Sequence, residues 1–104
     1  MLATKFEPTF TGLCIHTIDD LNILMGQLYS DSWVFKKERA ENQTKVMFVS
    51  RNNLGSYFIA EMKKPQEVKS NGVRKRYRVR FTNPSLKYKD IQPFTFDRNP
   101  ISYC

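Results

Sequence analysis

Val73-Arg74-Lys75-Arg76-Tyr77-Arg78-Val79-Arg80-Phe81-Thr82 is the stretch on which the fold turns. Successive side chains of a β-strand point to opposite faces of its sheet. Arg74, Arg76, Arg78 and Arg80 then share one face. Val73, Tyr77, Val79 and Phe81 share the other, with Lys75 the exception. The register is strongly specified, because a slip of one residue would bury the guanidinium row.

The flanking residues extend the reading. Asn71-Gly72 is the dipeptide favoured in a type I′ turn, so it predicts a tight hairpin from Glu67-Val68-Lys69 into a strand over Val73–Thr82. Asn83-Pro84 predicts that strand's end, since proline supplies no ladder N–H. Upstream, Lys45–Arg51 and Ser56–Met62 are β-rich and joined by Asn52-Asn53-Leu54-Gly55, which predicts an antiparallel hairpin. Phe10–His16 reads as a first strand, Trp33-Val34-Phe35 as a short one, Glu38–Thr44 as a polar loop, and Phe94-Thr95-Phe96 as a last edge strand between Pro93 and Pro100. A helical spacing occurs once, in Ile18, Leu21, Leu24, Met25 and Leu28. Thr17 is placed to cap that helix, with Asp20 in the capping-box position, and the helix should fray over Gly26–Ser30. The expected fold class is α+β: a mainly antiparallel sheet of about five strands, with one N-terminal amphipathic helix packed on one face. No linker or repeat divides residues 1–104, which predicts a single domain.

Of the 104 residues, 17 are Lys or Arg and 10 are Asp or Glu, for a net charge of +7. The apolar share of 40% and the aromatic share of 13% exclude a disordered basic tail. The excess charge is local. Lys63, Lys64, Lys69, Arg74, Lys75, Arg76, Arg78, Arg80, Lys87 and Lys89 fall in one segment with Glu67 as its single carboxylate. Such a segment is the electrostatic footprint of polyanion binding. No run approaches the roughly 18 apolar residues of a membrane span. Lys5, Glu7, Pro8 and Gly12 interrupt any signal-peptide core, so an intracellular, cytoplasmic setting without membrane contact is expected. Cys14 and Cys104 form neither a disulfide framework nor a zinc signature and read as reduced thiols. Cys14-x-His16 lacks further ligands, so neither a metal nor a cofactor is expected.

Arginines two residues apart on a strand are separated by roughly 6.6 Å, a feasible track along a phosphate backbone. Guanidinium keeps its charge at any working pH and presents a planar fork to phosphate. The sequence therefore points to Arg74, Arg76, Arg78 and Arg80 as phosphate contacts, helped by Lys69, Lys75, Lys87 and Lys89. Tyr57 is opposite in parity to Phe58, Ala60 and Met62, and would stack on bases if it lies on the open face. The bland alternative is a solvated sheet face whose arginines pair with Glu67 and Glu61 across the strands.

The opening order β-α-β-β is similar to that of the RNA recognition motif. Leu54–Glu61 keeps Gly55, Phe58 and Ile59 of its RNP1 pattern but lacks the basic start and two aromatic positions, so the chain is not placed in that family. Catalysis is not expected. His16 is the single histidine, and no motif gathers it with Tyr77, Arg78 and Arg80 into a ribonuclease site. Two partners remain: nucleic acid of unspecified type, bound by an accessory protein of phage or mobile-element kind, or an acidic surface of a host protein, bound by an inhibitor or anti-defence factor.

Overall fold

A computed structural model describes residues 7, 9–53, 55–88 and 100–103. The elements run β1 (Leu13–Thr17), α1 (Leu21–Gln27), β2 (Tyr29–Trp33), α2 (Lys37–Ala40), β3 (Lys45–Ser50), β4 (Ser56–Met62), β5 (Gln66–Val68), β6 (Arg76–Tyr88) and β7 (Ile101–Tyr103). Strand accounts for 50% of the described residues and helix for 13%. The expected helix-on-sheet α+β arrangement is therefore wrong. The fold is a curled, mixed sheet of seven strands in the order β2-β6-β4-β3-β1-β7, with β5 also paired to β6. A parallel pair, β1 with β3, sits inside otherwise antiparallel pairings.

The helix fails to cover the sheet because it is too short. Thr17 is the last residue of β1, and its hydroxyl accepts from Asp19 N at 3.0 Å. That turn delays the helix, and Asp20 becomes the N-cap, accepting from Asn22 N and Ile23 N. At the other end Leu28 takes a left-handed φ of 65°, returns its N–H to Leu24 O, and β2 begins at once. Seven residues give a helix roughly 10 Å long. Leu21 and Leu24 enter the core, whereas Ile18 and Leu28, expected on the same face, are exposed. The β3–β4 turn holds the helix start: Asn53 Oδ1 accepts from Leu21 N, and Asn52 Nδ2 donates to Ile18 O.

The β3–β4 hairpin forms as expected, from Lys45↔Glu61 to Val49↔Tyr57. Its inward residues make the centre of the core, where Phe48, Phe58 and Phe81 meet with ring centroids 4.9–5.3 Å apart. Both faces of β1 and β3 are buried, which explains the continuous apolar runs Leu13-Cys14-Ile15 and Val46-Met47-Phe48-Val49. Gly12, at φ 151°, passes so close beneath the Lys45 carbonyl that a Cβ there would collide with it.

Four further expectations shift. The short strand predicted at Trp33–Phe35 is β2, four residues earlier at its start, and Glu38–Thr44 contributes its first residues to α2. The long strand neither starts at Val73 nor ends at Asn83-Pro84. It runs from Arg76 to Tyr88, because Asn83 and Pro84 together stand opposite Ala60 in a bulge. Asn83 takes φ 51°, and the bulge is where a missing proline N–H does no harm. Neither Asn71 nor Gly72 takes the positive φ a type I′ turn needs, and a loop of residues 69–75 replaces the tight hairpin. Cys104 and the strand expected at Phe94–Phe96 lie outside the described residues.

Candidate functional site

Alternation within β6 holds where the strand is regular. Tyr77, Val79 and Phe81 are buried, and Arg76, Arg78 and Arg80 point to the opposite face. β6 lies here between β2 and β5, through Tyr29↔Arg80 and Ser30↔Val79 on one side and Gln66↔Arg78 on the other. The neighbours supply acceptors for all three arginines. Arg78 grips Asp31 with two hydrogen bonds, Nε to Oδ1 at 2.8 Å and Nη2 to Oδ2 at 2.9 Å, and lies 4.2 Å over the Tyr29 ring. The hydrogen bond to Asp31 is the main reason that the Arg78 pKa rises above its ordinary value. Arg76 donates to Ser32 O at 3.0 Å, and Arg80 to Lys64 O at 3.1 Å.

The counter-charge is not where the sequence placed it. Glu67 pairs with Tyr77 and so faces away from the arginines, while Glu61 accepts from Asn83 Nδ2 at 2.7 Å. Asp31 falls between the fraying helix end expected at Gly26–Ser30 and the short strand expected at Trp33–Phe35, where the sequence predicts no element. The alternation of Tyr29, Ser30 and Asp31 is the sequence signal for β2, and the structure buries Ser30.

Arg74 precedes the strand and leaves the row. It joins Lys69 and Lys75 in the 69–75 loop, where all three are exposed. Ser70 orders this loop by accepting from Gly72 N and donating to Arg74 O, each at 3.1 Å. No salt bridge among the described residues involves Lys69, Arg74 or Lys75. Val73, expected to be on the inward face, is fully exposed at the loop's end.

Two of the expected contributors belong elsewhere. Lys87 sits near the far end of the 13-residue strand, 3.3 Å from Glu7 Oε2. Tyr57 does lie opposite Phe58 and Ala60, yet it is 5% exposed with its hydroxyl on Glu7 Oε2 at 3.2 Å, so its ring presents no face for stacking. Burial, ahead of the Glu7 charge, raises its pKa. Lys89 lies outside the described residues. The structure thus gathers Arg76, Arg78, Arg80, Lys69, Arg74 and Lys75 at one end of the sheet and separates Lys87 and Tyr57 from them.

His16 is buried in β1 rather than placed at a strand-helix junction, and no group of side chains suited to a metal ion occurs among the described residues. No helix among them is long and apolar enough to cross a membrane. Comparison with protein-family models, curated proteins and solved structures returned no match.

Proposed function

We propose that this chain is a non-enzymatic, intracellular nucleic-acid-binding protein with an accessory or regulatory task of phage type. Its contact surface is the 69–75 loop together with the Arg76–Arg80 face of β6. The supporting observation is that Lys69, Arg74 and Lys75 stand exposed and outside any salt bridge among the described residues, directly ahead of Arg76. Uncompensated cations at such density repel one another and are relieved by polyanion contact. Phosphate contacts of this kind position a partner without reading sequence. Arg78 contributes less than the sequence suggested, because a phosphate must first compete with Asp31.

Four phosphate contacts, from Lys69, Arg74, Lys75 and Arg76, give a salt slope of about 3.6 on duplex DNA and about 2.8 on a single strand. Affinity for the duplex should then fall roughly a hundredfold between 50 and 200 mM salt. The triple variant Lys69→Glu/Arg74→Glu/Lys75→Glu should lose most of that binding and most of the slope, measured by fluorescence anisotropy on labelled duplex DNA and single-stranded RNA. Binding as tight as that of the parent protein would overturn the proposal.

A second reading, attachment to an acidic surface of a host protein, draws on the Arg78–Asp31 fork, since this face already holds a carboxylate by both oxygens. It predicts that one stoichiometric protein partner survives nuclease treatment in a pull-down, and that the triple variant loses it.

A further inference from the structure

Curling of the sheet brings the two ends of its strand order towards each other. The segment that follows β2 and the short helix α2 lie against β7, the strand at the opposite end. A cleft of about 450 Å³ opens along this seam. Phe35, Ile101 and Tyr103 give it apolar and aromatic walls, and Lys36 and Arg39 stand at its rim. Phe35 is fixed by stacking on Tyr77, with ring centroids 5.1 Å apart, so that wall is rigid. The Arg39 guanidinium lies 4.0 Å over the Tyr103 ring. A cation held on an aromatic face keeps its outward donors available for an anion.

Three observations make the seam more than a packing gap. Its volume lies in the range of small-molecule sites, which pair apolar walls with a few convergent polar groups. Neither Lys36 nor Arg39 has a salt-bridge partner among the described residues. Tyr103 Oη is enclosed without a hydrogen-bond partner among the described residues, and an unsatisfied polar atom of this kind calls for an explanation such as a missing ligand group.

We propose that the seam between α2 and β7 binds a small planar ring compound carrying an anionic group. The ring packs between Phe35 and Tyr103, and the anion meets Arg39 and Lys36. This site is independent of the basic loop, and its occupant is a small molecule rather than a polymer.

The test uses a pair of probes: anilinonaphthalene sulfonate and its uncharged parent phenylnaphthylamine, titrated into the whole protein and followed by backbone and side-chain NMR. The sulfonate should bind at one saturable site, shift the resonances of Phe35, Arg39 and Tyr103, and bind roughly tenfold more tightly than the uncharged ring. Arg39→Met keeps the stem over Tyr103 and removes the charge, and should abolish that preference while leaving the remaining resonances in place. If Arg39→Met does not fold, Lys36→Met carries the same comparison, since the Lys36 side chain makes no capping bond. Equal affinity for both probes, shifts confined to other residues, or a sulfonate preference unchanged in the folded variant would overturn the site.

Discussion

From Phe81 to Tyr88, β6 runs beside β4 and sends Phe81 and Leu86 towards the phenylalanine core. From Arg76 to Arg80 it runs between β2 and β5, with apolar side chains on one face and guanidinium groups on the other. One strand thus serves two environments, and within the β4-paired half the bulge at Asn83-Pro84 resets which parity faces inward. Within the basic end there is a second division. Arg76, Arg78 and Arg80 are tied to acceptors on neighbouring segments, whereas Lys69, Arg74 and Lys75 have no such ties in any salt bridge among the described residues. Regular strand geometry places charge where the scaffold can hold it. The loop places charge where a partner can reach it.

The sharpest way to break this comparison is to remove bulk from one region and charge from the other. Phe58 is fully buried between Phe48 and Phe81, and Phe58→Ala should cost about 3–5 kcal/mol of stability in urea unfolding, from lost transfer energy and the cavity left behind. Lys75→Ala, in the exposed loop, should stay within about 0.5 kcal/mol of the parent. Comparable losses at the two sites would mean that the loop is part of the cooperative core, and the division would fall.

Local signals explain what the sequence revealed and what it concealed. The alternation at Tyr77, Val79 and Phe81 and the Asn-rich turn between β3 and β4 depend on near neighbours, and both are present in the fold. Partnership between distant strands leaves no such trace. The parallel pairing of Leu13–Thr17 with Val46–Ser50 depends on crossover geometry, and its apolar residues would suit an antiparallel neighbour equally well. The same non-locality hid the Asp31–Arg78 pair, whose members stand 47 residues apart. Asn71-Gly72 misled for a different reason: a favourable turn dipeptide was overridden by the Ser70 hydroxyl, which closes a wider loop.

A smaller effect sharpens the division inside the basic end. If Asp31 withholds Arg78 from phosphate, Asp31→Asn should free a contact and raise the salt slope of nucleic-acid binding by about 0.9 on duplex DNA. Folding should be slightly weakened at the same time, since the charge-assisted fork becomes an ordinary hydrogen bond. The paired variant Asp31→Asn/Arg78→Gln should return the slope to the parent value. A slope unmoved by Asp31→Asn would show that Arg78 does not approach phosphate, leaving the loop and Arg76 as the contact surface.

The smallest expected effect lies at the packed end of β6, where Tyr57 and Lys87 share Glu7. Burial first, and then Glu7, raise the folded pKa of Tyr57 above its ordinary 10.0. A raised value means that the folded state holds the proton more tightly than the unfolded chain. The stabilisation is complete below the unfolded pKa and is lost as pH rises through the folded one. Tyr103 has a raised pKa as well, through burial opposed by Arg39, so the parent protein should lose stability above about pH 10 from both rings. Tyr57→Phe removes one of the two titrations. Its urea midpoint should decline less steeply than the parent's above about pH 10, and the two should run parallel at neutral pH. Parallel curves throughout would place the Tyr57 hydroxyl in water rather than against Glu7, and the basic loop would then have an open tyrosine at the other end of its strand after all.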